Sequence, residues 1–345
     1  MKKNVVLVVS LVLTLCLSAW VHAATPLGGL AVAVSPDGKQ IVAAGDNRVL
    51  YAINAETMEV TERVWLGTPI LALDFTQDGS KVVAEDTDGT LFLFNAQDWS
   101  IIKNEPKAEQ MTVSREANLV AGLDRQTVRL FSLENLSATG TITLGDKDRV
   151  ACMALAPKGD RLAILLTPVD DDAEPKEKVP TDLKNLEADE FKLKNDGKTS
   201  RLLIFSATDG SNIADHKLYF SASTVGATLL FQEENILIVN YTNLNAQIDA
   251  QGEVTLFKLD NSYNYGIGVS ADHQTLLTGG LAKGTYTKVE NLNKTTFSQD
   301  RLPGWPEYFK SFSVAPDGTA YGATSGYRIV KIKPGGALDK SYPVF

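Results

Sequence analysis

Ser35-Pro36-Asp37-Gly38-Lys39 stands between two apolar runs, Ala31 to Val34 and Ile41 to Ala44. Proline presets φ, aspartate bonds its own backbone and glycine accepts positive φ, so these residues read as a tight turn between two strands. The arrangement returns at Gln77-Asp78-Gly79-Ser80, Pro157-Lys158-Gly159-Asp160 and Pro316-Asp317-Gly318-Thr319. Weaker copies stand at Arg115-Glu116-Ala117-Asn118, Gln232-Glu233-Glu234-Asn235 and Ala271-Asp272-His273-Gln274. Marks at 38, 79, 117, 159, 234, 273 and 318 are separated by 41, 38, 42, 75, 39 and 45 residues. A unit of about forty residues therefore recurs, and the long step holds one unit plus an insertion of about 34.

Each unit reads as four short strands. In the second they are predicted over 70–75, 81–85, 90–95 and 99–104, with Asp78-Gly79 and Asp88-Gly89 as turns. β-branched, aromatic and leucine residues fill them, and no capped helical stretch competes. Small sheets of this kind hide their faces by packing radially around an axis. Seven marks over residues 24–345 give about 46 residues per unit, the length of a four-stranded blade. The expectation is an all-β, seven-bladed β-propeller of four-stranded antiparallel blades, with an insertion over about 168–199 in blade four.

Ser-Pro-Asp-Gly-Lys followed by strand, polar turn and strand resembles the YVTN-type, WD-repeat-like propeller repeat. That group includes the propeller chains of quinoprotein amine dehydrogenases and a lactonase family. The resemblance spans nearly all of residues 24–345 and implies a fold. The Trp-Asp and Gly-His pairs of true WD repeats are absent. Activity has to be argued from a site.

Lys2 and Lys3 precede an apolar run from Val5 to Leu17, then Ser18-Ala19-Trp20-Val21-His22-Ala23. Charged, apolar and small-residue regions in that order predict a signal peptide over 1–23. The run is short for a membrane span, which takes roughly 20 residues. Leu15 stands where a small residue would precede a lipidated Cys16, which argues against a lipoprotein. Cleavage leaves Cys152 alone, so the expected exported chain has no internal disulfide and relies on a large core. The expected location is the bacterial periplasm or exterior.

The chain carries 33 basic and 42 acidic residues, net −9. Nucleic-acid affinity rests on Lys and Arg displacing counterions from phosphates, so this balance argues against such a partner. HExxH, CxxCH, CxxC, Gly-x-Ser-x-Gly and the P-loop are missing, and Cys152 sits in an apolar strand. No catalytic residue, cofactor or metal ligand is assigned. Asp46, Asp86 with Asp88, and Asp124 fall in corresponding turns, where an aspartate more often bonds its own backbone than a cation.

Antiparallel order fixes which loops share an end. Turns between first and second strands, and between third and fourth, lie on one end, the bottom. Turns between second and third strands, and the links between units, lie on the top. The insertion is therefore a top feature, and its 182–194 stretch reads as a short helix, either in a docking arm or lid or in a solvated surface excursion. The top also receives Arg301, Trp305, Tyr308 and Phe309 from the last link, Tyr263 and Tyr265 from the preceding one, and Tyr327 from a turn. Trp, Tyr and Arg are the usual anchors of interfaces. The competing reading of Trp305 and Phe309 is packing between blades. The expected role is an interaction scaffold or accessory subunit of an envelope or redox complex, its partner another protein. The alternative is a lactone or sugar hydrolase at the channel mouth.

Overall fold

The computed structural model describes residues 29–167, 200–218, 227–239, 245–257, 264–300 and 306–343. The described residues form 28 strands and no helix. The first sheet holds β1 (Leu30–Val34), β2 (Gln40–Gly45), β3 (Val49–Asn54) and β4 (Val60–Trp65), paired in chain order. The second holds β5 (Ile70–Phe75), β6 (Lys81–Asp86), β7 (Leu91–Asn95) and β8 (Ile101–Glu105). In the third are β9 (Glu109–Ser114), β10 (Leu119–Asp124), β11 (Thr127–Ser132) and β12 (Ala138–Thr143). The fourth comprises β13 (Val150–Leu155), β14 (Arg161–Leu166), β15 (Ser200–Ser206) and β16 (Asn212–Leu218). The fifth comprises β17 (Thr228–Gln232), β18 (Asn235–Val239), β19 (Asn245–Ile248) and β20 (Val254–Phe257).

The remaining strands form one eight-stranded sheet. Its halves are β21 (Gly266–Val269) to β24 (Asn293–Ser298) through β22 (Thr275–Gly279) and β23 (Lys283–Lys288), and β25 (Phe309–Val314) to β28 (Leu338–Pro343) through β26 (Ala320–Thr324) and β27 (Arg328–Ile332). A single parallel pair, Ile267 with Ser311, joins the halves. The repeat does not predict this fusion. Its cause lies in Gly266 and Gly268, where a Cβ would meet the backbone of Phe309 and of Phe312. Without side chains there, β21 and β25 come within ladder distance.

The turns explain why the repeat motif recurs. Ser35 Oγ donates to Asp37 Oδ1 at 2.6 Å, which also accepts the Lys39 N–H at 3.0 Å. Thr76, Asp78 and Ser80 repeat this geometry, and the Thr76 hydroxyl, first among several donors, holds the Asp78 carboxyl down at about 2. Gly38, Gly79, Gly159 and Gly318 all have φ between 67° and 84°, where L side chains are strained. Two weaker copies shift by one residue: positive φ falls on Asn118 and on Glu233.

Apolar side chains on both faces of each sheet meet those of the next. One cluster joins Val42, Leu50 and Ala52 to Phe75, Val82 and Phe94; another joins Leu91 and Leu93 to Phe131 and Leu133. Further clusters couple the third sheet to the fourth, the fourth to the fifth, the fifth to β21–β24, and β21–β24 to β25–β28. The last one brings Ala315, Tyr321, Ala323 and Ile329 against Leu30, Val34, Ile41 and Ile53, so the end of the chain packs on its beginning. These sheets, radially packed and closed on themselves, make a β-propeller.

An axial cavity of about 270 Å³ is lined by residues of β1, β5, β9, β13, β17, β21 and β25. These inner strands are sheet edges, and neighbouring side chains cap their N–H groups. Val32 and Val34 donate to the Ser311 and Ser313 hydroxyls, and Leu155 to the Thr112 hydroxyl, at 2.9–3.1 Å. Capping in this way removes the unpaired donors that make an edge a liability. At the perimeter β4 exposes Thr61, Glu62 and Arg63, a charged edge that resists pairing with another chain.

Candidate functional site

The link into β25 is stitched to two turns at the same end of the ring. Ala282 N–H donates to Glu307 O at 3.1 Å, and Phe309 N–H to Gly280 O at 3.2 Å. Gly280 and Ala282 are the β22–β23 turn, so the link both accepts from it and donates to it. Ser325, from the β26–β27 turn, donates its N–H to Tyr308 O at 2.8 Å, while its Oγ accepts the Tyr308 N–H at 3.0 Å. Turns between second and third strands and the link between units thus meet at one end, as the antiparallel order requires.

A wholly buried carboxylate anchors this region. Glu307 accepts from Arg328 Nε at 2.9 Å, from Arg328 Nη2, and from Thr324 Oγ1 at 2.5 Å. A third Arg328 bond, from Nη2 to Asp300 O at 2.8 Å, ties in the start of the link. A paired, multiply bonded buried carboxylate holds a single geometry, because losing the guanidinium leaves its charge uncompensated and losing the hydroxyl leaves an acceptor unsatisfied.

On this support stands an aromatic rim. Tyr265 and Tyr308 are half-buried, with ring centroids 4.7 Å apart and planes tilted by 57°. Tyr327, at φ 56°, donates its hydroxyl to Asp46 Oδ1 at 2.6 Å. Burial and that carboxylate push the Tyr327 phenol up to about 12. Lys310, on β25, lies near Asp46; burial lowers its pKa against the carboxylate's opposing pull. Asp46 belongs to the β2–β3 turn, so the rim bridges the last strands and the first sheet.

Of the residues singled out in the sequence, the structure brings Tyr265 and Tyr308 together and places Tyr327 on the same end. Phe309 is fully buried, packed against Phe297 and Phe312 at 5.6 and 4.9 Å between centroids, so it serves the core and not a contact surface. Arg301, Trp305 and Tyr263 lie outside the described residues, as do the signal segment and insertion 168–199. Leu166 pairs with Arg201 across the base of the insertion, between β14 and β15 as expected. Asp86 bonds its own turn through the Asp88 and Thr90 N–H groups. Cys152 is a partly buried free thiol, pushed by burial to about 12 and so unreactive. His216 lies on the outer strand β16 and His273 in the β21–β22 turn, so they form no pair.

Sequence reasoning missed Glu307, Arg328 and the inner-strand caps. It also missed Glu85, a buried carboxylate raised by desolvation that accepts the Gln110 and Met111 N–H groups at 2.7 Å. Acidic and hydroxyl residues are too common for their presence to single these out. Only the packing does. Among the described residues, no group of three or more His, Cys, Asp and Glu side chains is placed to hold a metal ion, and no helix is long and apolar enough to cross a membrane.

No protein-family model matches the chain, and no curated protein sequence does. Among solved structures, a chain of Kuenenia stuttgartiensis hydrazine synthase superposes with a TM-score of 0.63 at 15% identity, covering 88% of this chain and 94% of that one. At that identity the likeness shows a common fold alone.

Proposed function

We propose that the chain is an exported seven-bladed β-propeller that holds another protein on its top end, as a scaffold or accessory subunit of an envelope or redox complex. Seven inner strands line one axial cavity, and seven core clusters join consecutive four-stranded units, which supports counting the fused sheet as two blades. The signal-like segment 1–23 supports export to the periplasm or exterior.

The observation that carries the binding role is the tyrosine rim on a buried ion pair. Tyr265, Tyr308 and Tyr327 offer broad amphipathic surfaces, and Glu307 with Arg328 fixes the backbone beneath them before any partner arrives. Preorganisation lowers the ordering cost of association. A Tyr265→Ala/Tyr308→Ala double variant is expected to keep its circular-dichroism spectrum and melting temperature within a few degrees. Its partner capture in native-compartment crosslinking is expected to fall about tenfold or more, the loss of a hot-spot pair. Undiminished capture by a folded double variant counts against this face.

A further inference from the structure

His273 and Arg115 depart from the turn motif of the clearest copies, and both line the axial cavity. Where four units have Gly38, Gly79, Gly159 and Gly318, the sixth has His273, held at φ 58° and buried. The left-handed region costs an L residue roughly 1 kcal/mol or more. Where other units have Pro36, Gln77, Pro157 and Pro316, the third has Arg115, also buried. Residues that depart from the local rule at such a cost concentrate at functional sites.

Their bonding leaves polar groups free. His273 Nδ1 accepts the Phe231 N–H at 2.9 Å, so the ring proton sits on Nε2, which has no partner among the described residues. Arg115 directs Nε and Nη2 to the same oxygen of Asp74, leaving Nη1 and Asp74 Oδ2 unpaired among the described residues. Thr112 and Ser313 accept backbone N–H groups through one lone pair, and neither hydroxyl hydrogen has an acceptor among the described residues.

We propose that the axial cavity binds one neutral, hydroxyl-rich molecule the size of a single sugar ring, through Asp74, Thr112, Arg115, His273 and Ser313. Charge decides the class. Arg115 and Asp74 balance each other, so an added anion meets the carboxylate and an added cation meets the guanidinium. Burial holds His273 down at about 4, which keeps the imidazole neutral near pH 7. The remaining groups are hydroxyls, one N–H face and one carboxylate oxygen, a mixed donor and acceptor set that suits hydroxyls. Met111, Val113 and Phe312 supply an apolar wall for a C–H face. The volume of about 270 Å³ sits just below the usual range of small-ligand pockets, roughly 300–1,000 Å³, which limits the occupant to one ring. Arg115 and His273 belong to first turns, at the end opposite the tyrosine rim. The inference does not depend on partner binding there.

The test is calorimetric titration of the full chain with D-glucose, D-galactose and D-mannose, alongside D-gluconate and D-glucosamine at matched ionic strength. Saturable binding of at least one neutral hexose is expected, about tenfold or more tighter than either charged sugar. His273→Gly restores the residue that four of the turns use, and His273→Asn keeps a side chain that tolerates positive φ and can accept the Phe231 N–H. Each is expected to weaken the hexose about tenfold, as is Arg115→Gln, whereas Tyr265→Ala/Tyr308→Ala leaves it unchanged. Three results overturn the proposal: no saturable heat from any of the neutral hexoses, tighter binding of gluconate or glucosamine, or unchanged affinity in whichever His273 variant folds together with Arg115→Gln.

Discussion

His273 and Glu307 show how single residues set the conditions under which this ring is stable. His273 is buried neutral, its pKa lowered to about 4 first by desolvation. In the unfolded chain an imidazole titrates near 6.5, so the unfolded state binds the proton first as pH falls. The group's contribution is fully present above about 6.5 and is lost progressively down to about 4, on the order of 3 kcal/mol in all. Urea unfolding at pH 7 and pH 4.5 is expected to show this loss in the native chain and a smaller one in His273→Gly. Equal slopes in the two proteins would remove the imidazole from the account. Glu307→Ala strands the Arg328 guanidinium and is expected to cost about 3–5 kcal/mol, read as a fall in the urea midpoint. Glu307→Leu/Arg328→Met removes both charges together and is expected to recover much of that loss.

The strands of the second unit were predicted almost residue by residue, because Asp-Gly turns and apolar alternation are local signals. Expected at 70–75, 81–85, 90–95 and 99–104, they are found as β5 to β8 with ends differing by no more than two residues. The fusion of β21 with β25 was not legible, since it depends on glycines meeting a backbone some forty residues away in sequence. Gly268→Ala tests that contact. Its added Cβ would strike the Phe312 carbonyl and Cβ, so β25 must move, and a loss of about 1–3 kcal/mol is expected. At Gly140 the nearest neighbour is a Leu130 methyl at 3.4 Å and φ is not positive, so Gly140→Ala is expected to be neutral within about 0.5 kcal/mol. Comparable melting temperatures for the two variants would contradict the close approach. The candidate rim was half legible. Its tyrosines follow from loop arithmetic, but the Glu307–Arg328 pair beneath them joins residues whose types alone carry no signal.

As a whole molecule, the ring closes, among the described residues, without exchanging a strand between its ends. β1 is the innermost strand of the first sheet and β28 the outermost of the last, so closure rests on β1 packing between β5 and β25. Ser311 and Ser313 cap β1 from β25, Tyr327 reaches Asp46, and Lys331 Nζ donates to Ala55 O at 2.8 Å across the same seam. The seam brings the tyrosine rim beside the first sheet, with Arg115 and His273 of the axial cavity in turns at the other end. Site-specific photo-crosslinking separates the two ends most directly. With a photoreactive residue at position 308 on the tyrosine end, and in separate proteins at 37 or 78 in the opposite turns, the native-compartment crosslinks are compared. The account predicts a discrete partner adduct from 308 and none from 37 or 78. The same adduct from 37 or 78 with none from 308 would contradict it.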